Sequence, residues 1–182
     1  MKYTKLLHDL YLIEPVVHRD DRGYFMESYN KKTWKDIGIE ADWVQDNEAK
    51  STYGVLRGLH YQVGNAAQAK LVRVVLGRVY DVAVDIRPQS PTYKQYVGVE
   101  LSAKNKKQLY IPRGYAHGYL VLSETAVFSY KCDNFYNPDA EAGLSYKDPG
   151  IGIEWPLSEP ELLLSPKDKK WPQIEDIIPI NI

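Results

Sequence analysis

The amino-acid sequence predicts an all-β chain folded as a jelly roll with a few short helices. From Val79 to Arg87, "VYDVAVDIR", apolar residues at one parity alternate with acidic and small residues at the other. Further apolar runs are separated by turn signals at about the spacing expected of a sandwich or barrel. Helical signal is scarce. These observations favour packed strands in which one face is apolar and the other can hold acids.

The individual elements follow from local patterns. A short helix is predicted in "NKKTWKDIG", beginning after Asn30 and ending at Gly38. Two apolar runs joined across Leu76-Gly77-Arg78 predict one hairpin, and "YVGVELSAKNKKQLYIP" predicts another around residues 103–106. Further strands are predicted at "AHGYLVL" and "AVFSYKC". The tail from Pro156 onward is irregular and is expected to fold back over the barrel.

Composition narrows the class of protein. With 182 residues, 44% hydrophobic content and a formal net charge of -1, the chain is expected to form one jelly-roll domain over residues 1–182. The near-neutral charge predicts no binding to nucleic acid or to a membrane surface through bulk charge. The single cysteine, Cys132, indicates a reducing compartment, and the charged first residues do not resemble a signal peptide or a membrane span. We therefore expect a cytoplasmic protein.

The stretch "RGLHYQ" places Arg57 and His60 within one predicted strand. Residues three apart on a regular strand face opposite sides, so both side chains can reach one pocket only if Gly58 allows a bulge or twist. Regular strand pairing from Leu56 to Gln62 would instead leave the Arg57 side chain outside the pocket. The simpler alternative is a half-exposed strand with a stray histidine.

A second histidine lies in a recognisable pattern. In "IPRGYAHGYLV", the spacing of Pro112, Gly114 and His117 resembles the second motif of the cupin superfamily. Metal-binding cupins add an H-x-H pair, but here His60 is followed by Tyr61 and Gln62. Two isolated histidines make a poor zinc or iron site, so no metal is expected.

Longer blocks make the resemblance specific. "DDRGYFMESY", "QDNEAKSTYGVLRGLHYQ", "AQAKLVRVVLGRVYDVAVDIRPQSPTY", "LYIPRGYAHGYLVL", "SYKCDNFYNPDAEAG" and "LLSPKDKKWP" resemble, in order, the blocks of the dTDP-4-dehydrorhamnose 3,5-epimerase family. The loop "VGNA" departs from the proline-rich loop expected there. The resemblance implies a cupin-type jelly roll (a double-stranded β-helix), usually a homodimer without metal or organic cofactor. The implied substrate is a dTDP-4-keto-6-deoxy sugar, inverted at C3 and C5 on the way to rhamnose.

The resemblance also implies roles for particular residues. His60 would be the general base and Asp168 its orienting partner, Lys70 would face the oxyanion at C4, and Tyr130 would return a proton from the opposite face. Arg22, Arg57 and Lys167 would hold the pyrophosphate. The remaining implied contacts to nucleotide and sugar are Glu27, Gln45, Asn47, His117 and Glu141, with Tyr136 stacked on thymine.

Several alternatives stay open at this point. Lys70 could be an edge charge, Tyr130 a core tyrosine, and Asp81 a buried structural carboxylate. A related enzyme that inverts only C3 or only C5 would need the same base, acid and lysine. A non-catalytic carbohydrate-binding cupin and a metal-dependent cupin oxygenase are the alternatives from other classes.

Overall fold

The computed structural model describes residues 1–180, and these residues contain thirteen β-strands and one short α-helix. The strands, β1 to β13 in chain order, are Lys2–Lys5, Tyr11–Glu14, Val17–Asp20, Gly23–Met26, Gln45–Thr52, Leu56–Gln62, Lys70–Leu76, Arg78–Asp85, Tyr96–Ser102, Gln108–Ile111, Tyr115–Val121, Thr125–Cys132 and Glu141–Gly143. The helix α1 spans Lys31–Lys35, and short 3₁₀ helices span Gly64–Ala66, Pro138–Ala140, Glu159–Glu161 and Asp168–Lys170.

Two antiparallel sheets pack face to face. One has six strands in the order β1-β2-β10-β7-β12-β5, and the other has five in the order β13-β6-β11-β8-β9. The strands β3 and β4 form a separate two-stranded hairpin. Side chains from both sheets, among them Val72, Val79 and Phe128, share one buried cluster between the sheets. The prediction of an all-β jelly roll is confirmed.

The five-stranded sheet is buried on both of its faces. Val82 and Val84, on the apolar parity of β8, and Ile86, which directly follows β8, pack on the side that faces away from the six-stranded sheet. Their partners there include Leu144 and Ile174, which lie beyond the last strands of the sandwich. The C-terminal part of the chain therefore covers this face. The expectation that the tail folds back over the barrel is confirmed.

The predicted helix is present and its ends are set by local chemistry. The side chain of Asn30 accepts a hydrogen bond from the backbone N–H of Lys32, which is a standard N-terminal cap. Gly38 follows the helix with φ of 83°, a conformation that glycine adopts without a Cβ penalty. Trp34 is buried against Ile13 of the six-stranded sheet. The helix is thus anchored by one aromatic side chain.

Both predicted hairpins are wrong. Strand β7 pairs with β10 and β12, whereas β8 pairs with β11 and β9, so the turn at Gly77 carries the chain from one sheet to the other. The segment around residues 103–106 likewise joins β9 of the five-stranded sheet to β10 of the six-stranded sheet. A tight turn between two apolar runs reverses the chain whether the two strands pair in one sheet or lie in facing sheets. Which strands then pair depends on partners distant in sequence, which the turn residues do not encode.

The expected irregularity at Gly58 is present. Within the pairing of β6 with β11, His60 lies opposite His117 and Arg57 lies opposite Tyr119. Two steps along β11 therefore match three along β6, and this extra residue puts Arg57 and His60 on the same face. Gly58 has φ of 134°, and a Cβ there would lie 2.5 Å from Gly118 Cα. The bulge needs glycine for both reasons.

Replacing Gly58 with alanine tests this requirement. We expect Gly58→Ala to lower the free energy of unfolding by about 2–4 kcal/mol, because the positive φ and the overlap with β11 each carry a cost. Urea denaturation measures the change. Gly23→Ala is the matched control, since Gly23 has φ of 133° with no atom within 4 Å of the added Cβ. Equal losses in the two variants would contradict a role for close packing at Gly58.

Candidate active site

A cavity of about 300 Å³ opens between the two sheets. The six-stranded sheet contributes Gln45, Asn47, Lys70, Tyr130 and Cys132 to its lining, and the five-stranded sheet contributes His60, Tyr61, Gln62 and Glu141. Gln68 and Tyr136 complete the lining from loops. Seven of these eleven residues were predicted from the sequence as catalytic or binding residues. The cavity therefore holds polar groups from opposite walls, an arrangement typical of small-molecule sites.

The tail brings an acid to the histidine. Asp168 Oδ1 lies 2.6 Å from His60 Nε2, and Asp168 is 5% exposed. Burial opposes ionisation of this carboxyl, but its hydrogen bonds with His60, Ser165 and Trp171 hold its pKa below the ordinary value. An ionised carboxylate only accepts, so the proton of the neutral imidazole lies on Nε2. Nδ1 is then the ring nitrogen with a free lone pair.

Lys70 and Tyr130 belong to the wall opposite His60. They lie on the paired strands β7 and β12, where Tyr130 is opposite Val72 and Cys132 is opposite Lys70. Burial raises the pKa of Tyr130 to about 12, so its hydroxyl keeps its proton at neutral pH. Burial lowers the pKa of Lys70, while nearby groups such as Cys132 and Asp81 act in the other direction. The cavity thus offers a potential acid and a cation facing the imidazole.

Charged and aromatic groups form the rim of the cavity. Glu141 accepts a hydrogen bond from the Tyr136 hydroxyl at 2.7 Å and an ion pair from Lys167 at 2.5 Å. Burial alone would raise the pKa of Glu141, but these two partners hold it below its ordinary value. The Lys167 ammonium also lies 5.6 Å from the centre of the Trp171 ring. A carboxylate, a phenol and an ammonium therefore meet where a ligand would enter.

The amides on β5 form a directed chain of hydrogen bonds. The backbone N–H of Tyr136 donates to Gln45 Oε1 at 2.9 Å, and Gln45 Nε2 donates to Asn47 Oδ1 at 2.9 Å. Asn47 Nδ2 lies 3.7 Å from Cys132 Sγ. Because a backbone N–H can only donate, the first contact fixes the orientation of both amides.

Besides Lys167 at the rim, two predicted binding residues lie near the cavity without lining it. His117 is buried, and its Nε2 lies 3.1 Å from both carboxylate oxygens of Asp81. Burial lowers the pKa of His117, so the ring is neutral at neutral pH. Arg57 is exposed on the same strand face as His60, and its Nε donates to Ser51 Oγ at 3.1 Å.

Arg22 and Glu27 lie elsewhere in this chain. Arg22 occupies the exposed turn of the β3–β4 hairpin and pairs with Asp20 at 2.6 Å. Glu27 accepts a hydrogen bond from Asn30 and lines a different cavity, beside Phe25 and Trp34. A single copy of the chain does not bring these two residues to His60.

Sequence reasoning missed several residues of the site. Gln62, Gln68, Tyr61 and Cys132 line the cavity, and Trp171 contacts Asp168. Parity could have indicated two of them, because Gln62 is two residues after His60 and Cys132 is two residues after Tyr130. No local signal points to the others.

The described residues, 1–180, hold neither a cluster of metal-ligating side chains nor a membrane-spanning helix. Within that range, no three His, Cys, Asp or Glu side chains converge in a way that could hold a metal ion. No helix in the same part of the chain has the length and apolar character needed to cross a bilayer.

Known proteins share both the sequence and the fold. The family profile described as dTDP-4-dehydrorhamnose 3,5-epimerase matches residues 4–176. The dTDP-4-dehydrorhamnose 3,5-epimerase of Shigella flexneri is 55% identical over 161 residues, which cover 88% of each protein. The crystal structure of the dTDP-4-dehydrorhamnose 3,5-epimerase of Elizabethkingia anophelis has a TM-score of 0.93 and 54% identity, and the match covers 97% of each chain.

A structure with a ligand is also similar. The dTDP-6-deoxy-D-glucose-3,5-epimerase of Legionella pneumophila, solved in complex with dTDP-4-keto-L-rhamnose, has a TM-score of 0.94 and 46% identity. The match covers 100% of this chain and 98% of that chain. With the profile and the relative from Shigella flexneri, this similarity extends over nearly the whole chain. The chain therefore belongs to the dTDP-4-dehydrorhamnose 3,5-epimerase family.

Proposed function

We propose that this chain inverts C3 and C5 of a dTDP-4-keto-6-deoxy sugar by acid-base catalysis through an enolate. The observation that carries the proposal is the His60–Asp168 pair on one wall of a cavity whose opposite wall holds Lys70 and Tyr130. Both carbons flank the C4 ketone, so their protons become acidic once negative charge can develop on the C4 oxygen. A base, a cation for that oxygen and an acid on the other side are the groups such a reaction needs.

His60 would act as the general base. Its Nε2 is held by Asp168, so Nδ1 would accept the proton from C3 or C5. The buried carboxylate would then stabilise the imidazolium that forms. Asp168 is thus proposed as a positioning residue whose charge also favours the protonated state of the base.

Lys70 would face the developing oxyanion at C4. A fixed positive charge in a cavity with little water stabilises such an oxyanion far more than it would in bulk water. The role requires the protonated amine.

Tyr130 would return the proton from the opposite side. His60 lies on the five-stranded sheet and Tyr130 on the six-stranded sheet, so a sugar ring between them would meet one group on each face. Inversion needs this separation, since a base that removes and returns a proton on one face restores the starting centre. A binding module has no need of the arrangement, which disfavours a non-catalytic cupin.

The nucleotide would bind at the rim. Arg57 and Lys167 would contact the pyrophosphate, for which arginine offers bidentate hydrogen bonds. Gln45, Asn47 and Glu141 would contact the nucleotide and sugar, and the half-exposed ring of Tyr136 would stack on thymine. His117 would support the sugar end from beneath the cavity.

We also propose that residues 1–182 form one domain that works as a homodimer in the cytoplasm, where its free Cys132 stays reduced. The β3–β4 hairpin carries Tyr24 and Phe25, which are 51% and 71% exposed, and such apolar side chains are commonly covered in dimers. Arg22 and Glu27 lie on or beside this hairpin, away from the cavity of their own chain. They would therefore contact the substrate bound to a second copy.

Proton exchange tests the chemistry directly. With dTDP-4-keto-6-deoxyglucose in D₂O, proton NMR should show deuterium entering both C3 and C5 with the native chain. His60→Ala should slow both exchanges by about 10²–10⁴-fold, the usual contribution of a general base. Tyr130→Phe should still exchange protons but yield incomplete inversion. Exchange at one carbon alone would identify a monoepimerase, and exchange that survives in His60→Ala would exclude His60 as the base.

The alkaline limb of the pH profile tests Lys70. Burial lowers its pKa, so the amine should lose its proton, and the exchange rate should fall, at a pH below the ordinary lysine value of 10.5. Lys70→Arg keeps its charge throughout this range, so the limb should disappear even if the rate is lower. Lys131→Arg, at a half-buried lysine paired with Asp46, is the matched control and should keep the native limb. If the alkaline limb is unchanged in Lys70→Arg, a group other than Lys70 causes it.

Mixed dimers test the role of Arg22. Arg22→Ala and His60→Ala variants, each weak alone, are unfolded together and refolded, then assayed by exchange. If Arg22 serves the partner's cavity, each mixed dimer holds one native site, so random pairing restores about a quarter of native activity. No restoration, with dimers confirmed by sedimentation, would place Arg22 in its own chain's site or in none.

A further inference from the structure

Gln62 holds two loops of the cavity rim together. It is 4% exposed and lies at the end of β6, two residues after His60. Its Oε1 accepts the backbone N–H of Asn137 at 2.7 Å. Its Nε2 donates to Ala66 O at 2.8 Å and to Phe135 O at 3.3 Å. The N–H of Asn137 can only donate, so the orientation of the amide is fixed.

The loop at residues 133–137 depends on such side-chain contacts. Residues 133–137 lie between β12 and the 3₁₀ helix Pro138–Ala140 and belong to neither sheet. Gln68 Nε2 donates to Asn134 O at 2.8 Å, and Gln45 Oε1 accepts the N–H of Tyr136. Gln62 contributes two of the hydrogen bonds to this loop and is buried beneath it. Its removal would therefore loosen the backbone on both sides of Tyr136.

The second loop that Gln62 contacts is the segment at residues 63–66, whose sequence differs from the proline-rich loop that the resemblance implies. Gln62 reaches this loop, "VGNA", through the carbonyl of Ala66, and Asn134 Nδ2 contacts the same loop through the carbonyl of Asn65 at 2.8 Å. Every residue type has a backbone carbonyl. The loop can therefore change in sequence while its connection to residues 133–137 is kept.

We infer that Gln62 is a positioning residue for nucleotide recognition, acting by holding the loop that presents Tyr136. The inference rests on the proposed nucleotide site at Tyr136. The polar atoms of Gln62 are engaged by backbone groups, which leaves the contact with the base to Tyr136. A loop fixed before binding loses less freedom when the ligand arrives, so the gain appears as affinity. The reacting carbons are served by other residues, so the chemical step does not depend on Gln62.

Calorimetry with dTDP as the probe, combined with a double-mutant cycle, tests this role. Gln62→Met has a similar volume but lacks all three hydrogen bonds, and it should raise the Kd for dTDP about tenfold. Gln62→Glu can still accept from Asn137 but cannot donate to the two carbonyls, so it should also weaken binding. Tyr136→Ala should weaken binding, and in the double variant the Gln62→Met effect should largely vanish. Gln95→Met, at an exposed glutamine outside the cavity, should leave the Kd unchanged.

Proton exchange at saturating substrate separates positioning from general damage. For Gln62→Met we expect kcat within about twofold of native, with KM raised in proportion to the Kd for dTDP. Thermal denaturation identifies a variant that fails to fold, and Gln62→Glu then supplies the comparison. An unchanged Kd, full additivity with Tyr136→Ala, or a fall in kcat at constant Kd would overturn the inference. If the native chain binds dTDP but exchanges no proton, the proposed reaction fails while the Kd comparison still decides the role of Gln62.

Discussion

The hydrogen bond between His60 and Asp168 connects two parts of the chain that are 108 residues apart. One partner lies on β6, between β13 and β11 of the five-stranded sheet, and the other lies in a 3₁₀ helix of the tail. The bond determines which imidazole nitrogen carries the proton, and therefore which nitrogen keeps a free lone pair. A tail that did not pack over the five-stranded sheet would leave the histidine without its partner. The packing of Leu144 and Ile174 against that sheet thus helps to position Asp168 as well as to stabilise the fold.

Inversion of a ring carbon requires a base on one face of the ring and an acid on the other, and two facing sheets can provide both. Neighbouring strands of one sheet can place acid and base side by side, but only facing sheets place them on either side of a ring. Lys70 and Tyr130 come from one sheet and His60 comes from the other. The bulge at Gly58 adds Arg57 to the face of His60, which a regular strand would have turned away. The fold therefore places the proposed acid and base on opposite walls, and the bulge at Gly58 brings Arg57 to the wall of His60.

The residues at the rim of the cavity are held in place differently from those on its walls. The groups proposed for the chemistry lie mainly on strands, whose ladder fixes them, whereas Tyr136 lies on a loop held by the amides of Gln45 and Gln62. Strand positions suit groups that must meet reacting atoms within a fraction of an ångström. Loop positions that are held through backbone groups place fewer demands on residue type. Binding preferences can thus vary while the proposed base and acid stay in place.

Local sequence patterns were enough to predict the strand content, the cap at Asn30, a bulge at Gly58 if Arg57 and His60 share a pocket, and most of the cavity lining. Each of these is encoded locally, in alternation, in a capping residue, or in a contiguous motif. Strand pairing depends on long-range packing, as the two wrong hairpins show, because pairing partners lie far apart in the chain. Tertiary structure also brought Asp168 against His60 and placed Gln62 beneath the loop of Tyr136. It left Arg22 and Glu27 away from the cavity of their own chain, because the β3–β4 hairpin pairs with neither main sheet.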